Sequence, residues 1–287
     1  MKTLPAEYIQ QLVRTALAED IGAGDITTEA TVPECLQAEA VIVAKEPCVI
    51  AGLLLVTGVF AELDPKLQLQ RLVDEGALVE PKTEVCRLTG SARSILTGER
   101  TALNFLQRLS GIATLTREFV EAITGTGATI LDTRKTTPTL RVLEKYAVAV
   151  GGGTNHRLGL FDAMMVKDNH RAILVRLGPQ ALAEATARVR RERPGVPVMI
   201  EADSLPDVDA ALAAGADHIL LDNMTCDELR EAVQRVAGRA KTEASGGVRL
   251  ATVAAIAATG VDYISVGALT HSARAVDLSL EVTCELP

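Results

Sequence analysis

Arg134 and Lys135 directly follow a short apolar run, "ATILD" at 128–132. An arginine fork matches carboxylate and phosphate oxygens in pairs, and a lysine supplies a compact charge. Similar runs further on also end in chemistry-bearing residues. "AMMVK" (163–167) ends at Lys167 and is followed by Asp168, "VPVMIE" (196–201) ends at Glu201, and "DHILLD" (217–222) ends at Asp222. "AKTEAS" (240–245) runs into Ser245, Gly246 and Gly247, and "DYISVG" (262–267) into Val266, Gly267 and Ala268. Glycine turns ahead of helices let backbone N–H groups approach a phosphate. Two carboxylates on adjacent strands, Glu201 and Asp222, suit Mg2+ held directly or through water beside phosphate oxygens. Six Lys/Arg lie between 132 and 170 (Arg134, Lys135, Arg141, Lys145, Arg157 and Lys167) in a chain of formal net charge −8. Positive groups are thus concentrated where a polyanion would bind, while the surface stays negative.

Less specific readings compete for single residues. Strand-end acids often cap helices or anchor turns. Arg141 and Lys145, four apart on one helical stretch, read as a solvated face. His218 sits in an apolar run with no charged neighbour on its own face, which reads as structural. His271 follows the second glycine turn closely enough to line a pocket, and Asp132 reads as a brace for Arg134 and Lys135.

These ends must be held by elements. Short buried strands alternate with Ala/Leu-rich helical stretches from Ala128 onward, the pattern of a parallel β/α architecture. "AAGADHILLD" at 213–222 is echoed by "ATGVDYISVG" at 258–267. Six runs and repeated turns favour an incomplete β/α barrel of about six parallel strands over an open doubly wound sheet, with its site at the C-terminal strand ends. Upstream, residues 6–19 carry apolar residues at helical spacing and 19–30 read as a loop. Residues 36–90 read as strands of a small sheet domain. Helical spacing returns over about 91–123, with Leu103, Leu106, Leu109, Ile112 and Ala113 on one face. The expected layout is an N-terminal domain at 1–112, a barrel at 113–270, and a segment at 271–287 that packs back on the N-terminal domain.

At 287 residues, 48% apolar and 23% charged, the composition is globular. The longest apolar run, roughly 47–61, is too short to span a bilayer, and the first ten residues lack the apolar core of a signal peptide. A soluble, cytoplasmic protein is expected. The five cysteines form no C-x-x-C pair, arguing against zinc or a disulfide framework, and read as buried free thiols. With seven aromatic residues, no Trp and an acidic balance, nucleic-acid binding is not expected.

The block "LDTRKTTPTLRVLEKYAVAVGGGTNHRLGLFDAMMVKDNH" resembles the quinolinate phosphoribosyltransferases, as do "GDITTEAT", "ERTALNFLQRLSGIAT", "ILLDNM", "EASGGV" and "VDYISVGALTHS". The resemblance covers nearly the whole chain. It implies a type II phosphoribosyltransferase, hence a glycosyltransferase, with an N-terminal open α/β sandwich and an unclosed α/β barrel. It also implies a homodimer, without fixing whether dimers associate further. The implied reaction joins quinolinate to phosphoribosyl pyrophosphate with Mg2+, giving nicotinate mononucleotide, pyrophosphate and CO2 on the route to NAD. On matching positions, Thr133, Arg134, His156, Arg157 and Lys167 would contact substrates, and Lys135 would lie near the reacting centre. Arg100 would reach across the dimer interface to a quinolinate carboxylate. Glu201 and Asp222 would serve the metal and ribose, and Ser245–Gly247 with Val266–Ala268 the 5′-phosphate, His271 lying nearby. The family's third strand often carries two acids, "E-V-E-V", whereas Met199 stands here at the earlier position. A related pyrophosphorylase-like family of molybdate transport shares the "DTRKT" region but departs at "NHR" and "KDN", both intact here. A type I phosphoribosyltransferase loop is disfavoured by Asn223. A non-catalytic anion-binding protein on the same scaffold is the remaining alternative.

Overall fold

The computed structural model describes residues 4–283. The first elements are α1 (Ala6–Ile21), α2 (Ile26–Thr31), β1 (Gln37–Ala44), β2 (Cys48–Val49), α3 (Leu53–Leu63), β3 (Gln68–Arg71), β4 (Leu78–Val79), β5 (Glu84–Ser91) and α4 (Ala92–Ala122). Then come β6 (Thr129–Leu131), α5 (Arg141–Val150), β7 (Met164–Val166), α6 (Asp168–Leu177), α7 (Ala181–Glu192), β8 (Val198–Ala202), α8 (Leu205–Ala213) and β9 (His218–Asp222). The last are α9 (Cys226–Val236), β10 (Lys241–Ser245), α10 (Leu250–Ala257), β11 (Tyr263–Ser265), α11 (Ala268–His271) and β12 (Leu278–Thr283). They divide into two compact units. One holds the described residues up to Arg117, Val142–Gly152, and those from Ser272 on; the other holds Glu118–Arg141 and Gly153–His271.

The first unit is built on an antiparallel sheet of order β12-β1-β5-β3. The last described strand is therefore one edge of a sheet begun at residue 37, in register from Glu39 opposite Thr283 to Ala44 opposite Leu278. Helix α4 supplies the longest apolar face. Leu103, Leu106, Leu109, Ile112 and Ala113 are all buried, as their spacing requires. Each such leucine removed from water contributes roughly 1.5–3 kcal/mol.

Two stretches depart from expectation. Part of 19–30, read as a loop, is the short helix α2, whose first turn is capped by Asp25 accepting from the Thr28 N–H at 3.0 Å. Within 36–90, read as strands, lies the helix α3. Leu53, Leu55, Val56, Val59 and Phe60 form its buried side, but Leu54, Gly58 and Ala61 on the other side are not polar either, so no polar face reveals its period. Its first turn has no local side-chain cap. The Glu75 carboxylate accepts from the N–H groups of Gly52 and Leu53 instead.

The second unit holds six parallel strands in the order β6-β11-β10-β9-β8-β7. From β7 to β11 each strand lies beside the next in sequence, and β6 lies beside β11. That is the march of a barrel, without the mid-sheet reversal of a doubly wound fold. The ring is open between β6 and β7. There Thr154 bonds to the free edge of β6, donating to Ile130 O at 2.9 Å and accepting from Asp132 N–H at 3.2 Å. Val198, Ile200 and Ala202 on β8, and Ile219 and Leu221 on β9, are buried. The alternate residues Glu201, Leu220 and Asp222 line a cleft, as the two-residue period of a strand demands.

The cysteines are less uniform than expected. Cys48 and Cys86 are buried, with burial pushing their thiols up to about 11 and about 12, but Cys35 is exposed and Cys226 partly so. Cys284 lies outside the described residues. No helix among the described residues is long and apolar enough to cross a membrane.

Candidate active site

The cleft of the second unit, about 480 Å³, opens at the C-terminal strand ends. Thr133, Arg134, Lys135, His156, Arg157, Lys167, Glu201, Asp222 and Ser245 all line it. So does Asp168, read from the sequence beside Lys167, and so do Met165, Leu220, Glu243 and Ser265, which the sequence did not single out. Period-two spacing from known wall residues was the available signal: Glu243 precedes Ser245 by two and Met165 precedes Lys167 by two.

Arg134 and Lys135 sit on the loop leaving β6. Arg134 Nε is buried with no hydrogen-bond partner among the described residues. Arg157 donates to Ala163 O at 3.1 Å, and its other terminal nitrogen lies 3.4 Å from Met165 Sδ. Burial first, then the charge of Arg134, pull the Arg157 guanidinium below its ordinary value. A fork at that pKa stays charged regardless, so the two guanidiniums repel one another until an anion joins them.

The braces differ from expectation. Asp132 is fully buried, and its carboxylate accepts from Asn155 Nδ2 at 2.7 Å and from the His156 N–H at 2.8 Å. It therefore anchors the 155–157 segment, where a brace for the two following cations had been expected. Arg141 and Lys145 are no solvated face. Lys145 is fully buried. Arg141 donates to Thr136 Oγ1 at 3.0 Å, Leu158 O at 3.1 Å and Arg134 O at 3.5 Å, tying the loop after β6 to the loop that carries Arg157.

His218 also has a charged neighbour, contrary to expectation. Its Nε2 lies 2.8 Å from Glu243 Oε2, and its ring stacks on Tyr263 at a centroid distance of 5.3 Å. The partner comes from the adjacent strand, where β9 and β10 run in register; a single strand cannot show it.

On the acidic wall, Glu201 Oε2 lies 3.4 Å from Lys167 Nζ, and Glu201 Oε1 accepts from the Asp168 N–H at 3.2 Å. Oxygens of Glu201, Asp203 and Asp222 come within 4.8 Å of one another. Asp203, two residues past Glu201 on the same side of the chain, was missed by the sequence reading and gives a third carboxylate. All-oxygen, carboxylate-rich donors fit Mg2+. Met199 lies deeper, beside Pro197, His218 and Tyr263 on a neighbouring cavity.

The glycine turns frame the cleft without lining it. Gly246 has φ +93°, and a Cβ there would lie 2.2 Å from Asn223 Oδ1, so only glycine fits. Gly267 packs between Lys135 and His271: a Cβ would lie 3.1 Å from Lys135 Cδ and from His271 Nε2. Val266 is buried, its N–H donating to Leu131 O at 2.9 Å. Ala268 opens α11, and Thr270 on that turn donates to Lys135 O at 2.7 Å. His271 itself is exposed and, like Gly247, lies outside the cleft lining. Arg100 belongs to the first unit, exposed on α4 beside a pocket that includes Asp20, Asp25 and Thr97.

Comparison with known proteins accounts for both units. The family models for the N-terminal and C-terminal domains of quinolinate phosphoribosyl transferase match residues 25–110 and 112–281. A carboxylating nicotinate-nucleotide pyrophosphorylase of Mycobacterium leprae is 46% identical over 278 residues, covering 94% of this chain and 95% of the relative. A mitochondrial, decarboxylating quinolinate phosphoribosyltransferase (2b) of Nicotiana tabacum is 41% identical over 298 residues, covering 98% of this chain and 84% of the relative. The solved nicotinate-nucleotide pyrophosphorylase of Francisella tularensis superposes with a TM-score of 0.92 at 39% identity, over 98% of each chain. With both of its domains matched and its strand-end residues gathered in one cleft, the chain belongs to the quinolinate phosphoribosyltransferase family.

Proposed function

We propose that this cleft transfers the phosphoribosyl group of phosphoribosyl pyrophosphate to the ring nitrogen of quinolinate, with loss of the 2-carboxylate as CO2. The products are nicotinate mononucleotide and pyrophosphate. The observation that carries this reading is the crowding of Arg134 and Arg157, one with a buried unpartnered Nε, the other depressed by burial and by its neighbour's charge. A dicarboxylate joins both forks, whereas a monoacid such as nicotinate leaves one desolvated cation unpaired.

The ring nitrogen is the nucleophile, so no serine, cysteine or base triad is required. As the ribosyl–pyrophosphate bond breaks, positive charge develops on the sugar, and Glu201 and Asp222 face it. Lys135 faces the departing pyrophosphate. The Ser245–Gly247 and Val266–Ala268 turns receive the 5′-phosphate. Once the new bond to nitrogen forms, the cationic ring stabilises the carbanion left at C2 by CO2 loss, and a proton then takes its place. Glu201, Asp203 and Asp222 would hold Mg2+, which when bound supplies charge neutralisation to pyrophosphate.

The working enzyme is read as a homodimer in which the exposed Arg100 reaches the partner's quinolinate. A reducing, cytoplasmic setting goes with the four described cysteines, all unpaired. Purified protein given quinolinate, phosphoribosyl pyrophosphate and Mg2+ is expected to release CO2 and form nicotinate mononucleotide. Turnover of nicotinate with none of quinolinate overturns the substrate assignment.

A further inference from the structure

Glu243 and His156, which line the cleft, and His218 on the neighbouring cavity form a polar cluster that the chemistry above leaves unused. Glu243 is fully buried on β10, in a barrel interior where an unpaired carboxylate is costly. Its Oε2 lies at ion-pair distance from two imidazoles, 2.8 Å from His218 Nε2 and 3.3 Å from His156 Nε2, but neither Glu243 oxygen nor His218 Nε2 has an aligned hydrogen bond among the described residues. The other nitrogen of His156, Nδ1, accepts the Arg157 N–H at 2.7 Å. A backbone N–H only donates, so the proton of a neutral His156 ring sits on Nε2 and points at Glu243. Both ring nitrogens of His156 are thereby engaged within the protein. The ring links a buried carboxylate to the backbone of a cleft arginine.

We propose that Glu243, His156 and His218 form a positioning relay for the quinolinate end of the cleft. Glu243 fixes the His156 ring, and His156 in turn fixes Arg157 at its backbone. His218 is the second imidazole beside that oxygen, and it offsets the Glu243 charge that would otherwise repel a dianionic substrate. Placing a carboxylate under an anion site is otherwise unfavourable, since like charges in a low-dielectric interior repel strongly. Two imidazoles within 3.3 Å of one oxygen offset that cost. The Tyr263 face holds the second imidazole flat against the barrel wall. His218 is a positioning residue, not a catalytic one, because it acts through Glu243.

The role of the relay in catalysis rests on quinolinate being the substrate; its hydrogen-bond arrangement does not. Nitrogen-15 NMR of the wild-type imidazoles is expected to show His156 as the Nε2–H tautomer at neutral pH, and an Nδ1–H or doubly protonated ring overturns the relay whether or not quinolinate turns over. His218→Phe keeps a ring against Tyr263 but removes the donor. Its KM for quinolinate is expected to rise roughly tenfold, the scale of one hydrogen bond to a charged group, with kcat nearly unchanged. Adding Glu243→Gln to that variant keeps an acceptor for His156 and removes the charge, so most of the KM loss is expected to return. A double variant no better than His218→Phe alone assigns the effect to packing and overturns the charge argument. Should His218→Phe fail to fold, His218→Gln, which retains a donor, and His218→Leu, which has none, carry the same comparison. Equal KM values in those two overturn it. Wild-type protein that shows no turnover of quinolinate sinks the substrate reading separately.

Discussion

Asp132 shows how far one carboxylate reaches into the site. Its two oxygens hold Asn155 and the His156 N–H, and so set the start of the segment that ends in Arg157. Removing them leaves two donors without partners in a buried place. Asp132→Ala is expected to destabilise the fold by about 1–3 kcal/mol, read by denaturant midpoint, and to lower kcat/KM for quinolinate. Glu243 carries a pH signature. Burial acts to raise its pKa, but hydrogen bonds and charge from His156 and His218 outweigh that and hold it at about 2, against an ordinary 4.5. A value depressed on folding stabilises the native state above the unfolded pKa, and that contribution disappears as pH falls through the folded one. Melting temperatures between about pH 5 and pH 2 should therefore fall less steeply in Glu243→Gln than in the wild type. Neither partner of Glu243 was legible in the sequence. His218 looked structural because its own strand is apolar, and the pairing arises only when the next strand, β10, is laid beside it.

Elements were legible where their period was exposed. Five of the six barrel strands lie within the short runs read from the sequence, β8 overruns its run by one residue, Ala202, and the face of α4 is the one its leucines mark. Helix α3 was missed because its sequence is apolar on nearly every side, so no polar stripe marks its turn. Arg141 was missed for the opposite reason: on a helix start, a cation looks solvated until the loops it ties are placed. Those ties run to Thr136, Leu158 and Arg134. At the strand ends the glycines are the sensitive points. Gly246→Ala would set a Cβ 2.2 Å from Asn223 Oδ1 at a φ of +93°. Forcing a side chain there costs on the order of 1–3 kcal/mol. The β9 and β10 ends would separate, and KM for phosphoribosyl pyrophosphate is expected to rise more than KM for quinolinate, measured by steady-state kinetics.

For the whole molecule, the first test concerns assembly. If Arg100 serves a partner's cleft, Arg100→Ala and Lys135→Ala chains fail separately and complement when mixed. Random exchange leaves one intact site in half the dimers, so about a quarter of wild-type activity is expected. No recovery after verified subunit exchange sinks the shared site. The metal reading is tested by chelation: activity should vanish with EDTA and return with Mg2+, and Asp203→Asn should raise the Mg2+ requirement severalfold. Composition set the globular class, yet a formal charge of −8 gave no hint of the cationic wall, which forms only when the 132–167 loops close over the strand ends. The break in the barrel lies between β6 and β7, where Thr154 bonds to the free edge of β6. Elsewhere every neighbouring strand pair is joined by a ladder of backbone bonds, so changing a connection strains two strands at once. At the break no β6–β7 ladder constrains the connecting chain, which carries the cleft-lining Thr133, Arg134, Lys135, His156 and Arg157. The ring thus behaves like a clamp with an exchangeable jaw. Rebuilding residues 133–140 and 155–163 for a different pyridine acid, with the buried helix α5 and Thr154 kept, should leave the other strand pairings, and most of the melting temperature, intact.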